Sequence, residues 1–308
     1  MARRRKGKPV HGWVVLDKAA GITSTQAVAR VRRVFEAQKA GHGGTLDPLA
    51  TGLLPVALGE ATKTVSYVME GTKTYRFTLQ WGVSTTTDDA EGEVLARSDK
   101  RPSEAEILAV LPRFVGEIEQ VPPVFSAIKV AGERAYDLAR DGEAVELAPR
   151  PVVIEDLRLL ACEGPDLAVF EAVCGKGTYM RALARDLGEA LETHAHIRIL
   201  RRIAVGPFTE ADAISLESLE ALGHSAAAFE HLHPVEAALD DIPALALTET
   251  EAQRLRLGQA VSMLARANRE RIADLSNGAV ICAMAGEKLV ALARYDAGDL
   301  RPVRVLNL

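Results

Sequence analysis

Two hydrophobic periods alternate irregularly through residue 205, and their order is the strongest constraint on the fold. In TYRFTLQWGV (74–83), Tyr75, Phe77, Leu79 and Trp81 fall on one side of an extended chain, the pattern of a strand with one buried face. PVVIEDLRLLACEG (151–164) and LAVFEAVC (167–174) predict two more strands joined by a turn at Gly164-Pro165. Before, between and after these lie helical periods. STQAVARVRRVFEAQ (24–38) has Thr23 or Ser24 as N-cap, Val28, Val31 and Phe35 at helical spacing, and Arg30, Arg32 and Arg33 on its other positions. SEAEILAVLPRF (103–114) predicts a short helix ended near Pro112. VPPVFSAIKVAGERAYDLARDG (121–142) predicts a proline turn, a strand and a helix. YMRALARDLGEALE (179–192) predicts a helix with Leu183, Leu187 and Leu191 at successive i+4 positions. Regular strand–helix–strand alternation would build a doubly wound parallel sheet; irregular mixing predicts an α+β fold.

The pattern changes after about residue 208. Residues 209–250 carry nine Asp/Glu and no Lys or Arg, and predict helices and a linker to about Pro243. From 245 on, RIADLS, AVICAM, KLVALARY and VRVLNL predict short strands, with a turn at Ala285-Gly286, as in a small β-barrel-like unit. The expected division is 1–243, including a basic tail at 1–9 and the acidic part at 209–243, followed by 244–308. A chain of 308 residues, 48% hydrophobic and 26% charged, can bury two such cores.

A net charge of −5 would by itself argue against a nucleic-acid partner. The distribution argues otherwise, because residues 1–43 carry ten Lys/Arg against only Asp17 and Glu36. A local basic face can serve a polyanion whatever the total. No apolar run is long enough to span a bilayer, and WVVL near the start is too short for a signal-peptide core, so a cytoplasmic protein is expected. Cys162, Cys174 and Cys282 form no C-x-x-C pair, and their odd number fits reduced, buried thiols rather than a disulfide framework.

The stretch GHGGTLDPLATGLLPVALGEATK (41–63) hangs a lone carboxylate, Asp47, among small and apolar residues. An aspartate before proline can simply be a turn residue. It can also be a nucleophile, already ionised near neutral pH, provided a cation offsets desolvation; Arg181 in the second glycine-rich stretch, 175–181, is the obvious supplier. GHGGTLD lacks the lysine, with the hydroxyl residue directly after it, of a phosphate-binding Walker loop, and neither stretch is a dinucleotide fingerprint. Asp88-Asp89, followed by Glu91, raises a divalent metal as a rival, and a solvated turn as the simpler reading. His231 and His233 offer no third zinc ligand.

Six ordered blocks carry a family resemblance: GHGGTLDPLATGLLP (41–55), KTYR (73–76), DDAEG (88–92), QVPPVFSAIK (120–129), KGTYMR (176–181) and LRR (200–202). They resemble the TruB family of tRNA pseudouridine synthases, which isomerise the T-loop uridine at tRNA position 55. The resemblance spans about 10–208 and is weaker beyond. It implies a pseudouridine-synthase-like mixed, largely antiparallel sheet flanked by helices, with a small β-rich PUA-like RNA-binding unit at the C-terminus. It implies Asp47 as nucleophile, Tyr75 as the stacking and proton-handling tyrosine, and Arg181 as partner of the carboxylate. His42 would contact the RNA loop as the base flips, Tyr179 and Leu200 would line the pocket, and Gly43 and Arg202 would contact substrate. Lys18 and Lys63 become candidates for phosphate contacts. No cofactor and no metal is implied; the partner is tRNA at its T-loop and elbow, and a monomer is expected. The rivals are an RNA-binding or RNA-folding protein without chemistry, and a metal-dependent phosphotransferase built on Asp88 and Asp89.

Overall fold

The computed structural model describes residues 7–126, 129–130, 133–134 and 147–308. The later part of 121–142, where the helix is expected, lies outside them from residue 135 on, as do residues Arg3 to Lys6 of the basic tail. The main sheet comprises β1 (Gly12–Lys18), β2 (Ala40–His42), β3 (Thr51–Leu58), β4 (Lys73–Trp81), β5 (Gly116–Gln120), β6 (Arg150–Cys162), β7 (Leu167–Cys174), β8 (Ala195–Val205), β9 (Phe208–Thr209) and β10 (Ala213–Ser215). Their order is β10-β1-β3-β8-β4-β7-β6-β5, with β2 on β3 and β9 on β8. Only β1–β10 and β3–β8 pair in parallel; the sheet is mixed and largely antiparallel. Helices α1 (Ser24–Val34), α2 (Val65–Glu70), α3 (Glu104–Val110) and α4 (Met180–Ala190) are connected through its strands and loops.

The alternation in 74–83 does what it predicts: Phe77, Leu79 and Trp81 are buried, and Phe77 stacks on Phe170 of β7 with centroids 5.5 Å apart. Thr23 caps α1 in a capping box with Gln26. Leu183, Leu187 and Leu191 are all buried. β1 and β3 bury both faces. Val14, Leu16, Leu54 and Val56 join the core under α1 and α4, while Trp13, Val15, Leu53 and Ala57 join a second core.

That second core also contains Cys282, Leu289 and Leu292 from a five-stranded sheet, and Leu306 just after its last strand in sequence. Its strands are β11 (Ala244–Ala246), β12 (Val261–Ser262), β13 (Val280–Ala285), β14 (Lys288–Asp296) and β15 (Asp299–Val305), in the order β11-β13-β14-β15-β12. The C-terminal part is therefore β-rich, packed on the face of β1 and β3 opposite α1. RIADLS is not a strand: residues 271–274 form turns, and Arg271 instead pairs with Glu251 at 2.9 Å. The acidic stretch is more than helices and a linker, because 213–215 adds a parallel edge strand to β1. Its Glu220 takes Arg30 of α1 as ion-pair partner, so part of the basic helix is neutralised. Cys174 and Cys282 are buried as expected, whereas Cys162 is exposed at the end of β6. No helix among the described residues is long and apolar enough to cross a membrane.

One backbone approach fixes the loop that precedes β3. Gly52 sits at φ +97° and pairs with Arg202 of β8; a Cβ there would lie 2.2 Å from the Arg202 carbonyl oxygen. Both the conformation and the space exclude a side chain. Gly52→Ala is expected to destabilise the protein by about 3 kcal/mol in denaturant melts. An unchanged midpoint would refute the close packing of β3 on β8.

Candidate active site

Residues 43–50, which lead from β2 into β3, contain no strand or helix, yet buried side chains clamp the loop from three directions. Arg202 donates through Nη2 to Gly44 O at 3.0 Å, through Nε to Leu53 O at 2.8 Å, and through Nη1 to Thr45 O at 3.4 Å. The Ser24 hydroxyl both accepts from Leu46 N and donates to Leu46 O, each at 2.9 Å. Lys18 Nζ donates to Pro48 O at 3.1 Å and to Ala19 O and Ile22 O at 2.9 Å. Asp47 therefore projects from a loop that is irregular but rigidly held, with about a third of its side chain exposed.

Arg181, in the first turn of α4, meets it. Its Nε donates to Asp47 Oδ2 at 2.9 Å, Nη1 to Thr87 O at 3.0 Å and Nη2 to Phe125 O at 3.0 Å. The guanidinium is 95% buried and has a second anion, Asp89 Oδ2, at 3.6 Å. Asp89 is itself fixed by the Thr87 hydroxyl at 2.5 Å and Glu91 N at 3.0 Å. One fork-shaped cation is thus immobilised by two carbonyls and shared by two carboxylates, an arrangement a point-charge ammonium could not reproduce.

Two clefts meet at this ion pair. One, of about 290 Å³, is lined by Tyr75, Tyr179, Met69, Leu200, Lys73 and the Gly175–Thr178 turn, with Asp47 and Arg181 in its wall. The other, of about 430 Å³, is lined by residues 23–25, His42, Pro48, Asp89, Glu91 and Phe125. The first has about the scale of a small-ligand site, and its aromatic and apolar side chains share the wall with Asp47 and the basic Lys73, Lys176, Arg181 and Arg202. Burial pushes the Tyr75 phenol above its usual pKa, against the opposing pull of Arg202, whose Nη1 lies 3.5 Å from the Tyr75 oxygen. Tyr75 is therefore a neutral ring with a hydroxyl donor at neutral pH. Burial likewise raises Tyr179. Its backbone is locked to the Gln120 side chain by bonds of 2.8 and 3.1 Å.

The family follows from this chain's similarity to known proteins. Residues 32–180 match the model of the TruB family pseudouridylate synthase N-terminal domain, and 181–240 that of the tRNA pseudouridylate synthase B C-terminal domain. A protein of Rhodospirillum rubrum named tRNA pseudouridine synthase B is 56% identical over the full length of both chains. One of the same name from Bradyrhizobium diazoefficiens is 59% identical, over 99% of this chain and 88% of the other. The chain belongs to the TruB family. Its fold also resembles a solved Cbf5-Nop10-Gar1 complex, with TM-score 0.72, 26% identity, and coverage of 96% of this chain and 84% of that one.

Of the residues the TruB resemblance singles out, Asp47, Tyr75, Arg181, Tyr179 and Leu200 converge on the smaller cleft. His42 lies on the other side of Asp47, in the larger one. Burial, followed by Arg202, lowers its pKa, so its ring is neutral, and its Nδ1 is buried without a hydrogen-bond partner among the described residues. The other four residues have the following surroundings. Lys18 is fully buried with its ammonium on three carbonyls, and burial lowers its pKa to about 8; it clamps the loop and cannot reach a phosphate. Lys63 is held by Glu60 and by Val305 O, both at 2.7 Å, and ties the main sheet to β15. Gly43 lines neither cleft; its missing Cβ makes room for Val68. Arg202 does border the smaller cleft, but its guanidinium is engaged by loop carbonyls and Tyr75.

Sequence reasoning did not single out Asp89 as partner of Arg181, Ser24 as a loop clamp, or Lys73 as a cleft residue. The signal for Lys73 was present: it stands two residues before Tyr75 on a strand and so shares its face. Asp88, the neighbour of Asp89, faces Arg185 at 3.3 Å. Burial nevertheless pushes its pKa up to about 6, outweighing Arg185 and Arg181. A folded-state pKa above the unfolded value near 3.8 means the native state binds the proton more tightly between about pH 4 and 6. The stability contribution of Asp88 therefore falls as pH rises through that window. Asn also tolerates the φ of +58° found there. Asp88→Asn should gain on the wild type by about 2 kcal/mol between pH 4 and pH 7. A stability difference that stays flat with pH would contradict the burial of that carboxylate.

Proposed function

We propose that the protein isomerises uridine to pseudouridine in tRNA, at position 55 of the T-loop, with Asp47 as the nucleophile. The observation that carries this reading is the Asp47–Arg181 pair in the wall of a tyrosine-lined cleft of nucleotide size. The names of the relatives supply the reaction and the class of RNA. A uridine inside a folded loop has to leave its stack to reach such a cleft, and Tyr75 offers the aromatic face on which a flipped base rests.

Once the base is seated, water is displaced from the carboxylate, and the Arg181 guanidinium keeps it ionised in the drier site. Asp47 adds to the sugar or to the ring, the glycosidic N–C bond breaks, the held base rotates and rejoins through carbon, and the bond to Asp47 is broken again. The proton lost from that carbon is balanced by one taken up at the freed ring nitrogen, with Tyr75 in the cleft wall to handle it. Reactant and product are isomers, so the balance needs no cofactor. While Asp47 is engaged, Asp89 remains as counter-ion to Arg181, so the cation keeps its place throughout. We place the protein in the cytoplasm, as a monomer acting on the tRNA elbow.

A phosphotransferase built on Asp88 and Asp89 is disfavoured because each carboxylate already faces an arginine. Among the described residues, no group of three His, Cys, Asp or Glu side chains is placed to hold a metal ion. Purified protein incubated with an unmodified tRNA transcript and EDTA should form pseudouridine stoichiometrically, as read by nucleoside chromatography. Activity abolished by EDTA while the tRNA stays folded would favour the metal-dependent rival. RNA binding without any pseudouridine would favour the binding-only rival.

A further inference from the structure

The smaller cleft has a cation that the chemistry above leaves unused. Lys73, the first residue of β4, lines it beside Lys176 and the Gly175–Thr178 turn, and is 94% buried. Its Nζ donates to the carbonyl oxygens of Met69 and Gly71, at the end of α2. An ammonium has three N–H donors, so one remains without a partner among the described residues. None of those residues places a carboxylate within ion-pair distance of it; the nearest acid in sequence, Glu70, is exposed and 3.3 Å from Lys176 instead. Burial, reinforced by the positive charge of Arg202, lowers the Lys73 pKa to about 8.

A buried cation without a counter-ion is costly, and at a cleft the missing partner is an anionic ligand. Arg181 carries two carboxylates; Lys73 carries none. Lys73 and Tyr75 are i and i+2 on one strand, about 7 Å apart along the same face. A nucleotide whose base stacks on Tyr75 can therefore bring its own backbone to Lys73. Resting on the nucleotide-in-cleft reading above, we infer that the Lys73 ammonium binds the phosphodiester flanking the extruded uridine. Lys18 and Lys63, the lysines the motifs suggested for this task, are occupied elsewhere.

The alternative is that Lys73 only caps the carbonyls at the end of α2. Lys73→Gln separates the two roles, since its amide can still donate to those carbonyls but carries no charge. Binding of a tRNA transcript is measured for the wild type and K73Q across about 50 to 400 mM salt, where each phosphate contact contributes to the slope of log affinity against log salt. A second pair of transcripts carries a neutral methylphosphonate on the 5′ or the 3′ side of the target uridine. K73Q is expected to bind roughly tenfold more weakly near physiological salt and to lose about 0.7–0.9 from the slope. One of the two methylphosphonates should weaken the wild type by a similar factor and K73Q no further, because the two changes remove one contact. A wild-type slope in K73Q, or additive losses at both linkages, overturns the inference. Should K73Q not fold, wild-type binding that is indifferent to both methylphosphonates overturns it equally. Failure of the wild type to bind or modify the unaltered transcript would instead refute the function proposed above.

Discussion

Replacing Asp47 by asparagine is expected to lower pseudouridine formation by roughly 10⁴-fold or more while tRNA affinity stays within a few-fold of wild type. The side chains are nearly isosteric, and the loop is held by Arg202, Ser24 and Lys18 rather than by Asp47 itself. Arg181 keeps Asp89 and two carbonyl acceptors, so the variant retains a folded site. What disappears is the carboxylate oxygen that the proposed reaction uses as nucleophile. Single-turnover assays at saturating enzyme measure the chemical step apart from binding. A rate within tenfold of wild type would remove Asp47 from the mechanism.

Arg181→Met should fail in two ways. Its buried guanidinium offsets two carboxylates, and Asp89 is almost wholly enclosed, so deletion leaves an uncompensated charge at a cost of about 3–5 kcal/mol. Catalysis should fall by roughly 10³-fold even well below the melting temperature, because Asp47 loses the cation that keeps it charged when water leaves. Arg181→Lys keeps the charge on a single nitrogen, which cannot reach Asp47, Thr87 O and Phe125 O together. It is expected to be more stable than the methionine variant and still about 10²-fold slower. Denaturant melts and single-turnover rates on the same samples separate the two effects. Near wild-type rates in the lysine variant would show that charge alone matters and that the fork geometry does not.

The sequence makes the strands legible where one face is buried, because the period of two is written in Tyr75, Phe77, Leu79 and Trp81. α1 is legible from its N-cap candidates and the spacing of Val28, Val31 and Phe35, and α4 from its leucines. Asp47, Arg181 and Tyr75 are legible as a set only through the ordered motifs. Their separation of up to 134 residues leaves no local trace. The environment of the lysines is what eludes sequence reasoning. A lysine in a basic N-terminal region reads as exposed, yet Lys18 ends a strand whose residues are nearly all buried and turns its ammonium onto a loop 30 residues away. The acidic segment reads as linker because the edge strand 213–215 has only three residues and finds β1 by a long-range parallel pairing. RIADLS misleads because Ile272, in a turn, and Leu275, just after it, pack on the C-terminal core without forming a strand.

Nucleotide-resolution mapping of pseudouridine in a tRNA transcript, incubated side by side with wild-type protein and the Asp47→Asn variant, decides whether the Asp47 carboxylate makes pseudouridine in the T-loop. A single modified position is expected, 55 in the T-loop, filled by the wild type and empty in the variant although the variant binds the same transcript. Pseudouridine scattered over unrelated positions, or an equally filled position 55 with asparagine at 47, would contradict it.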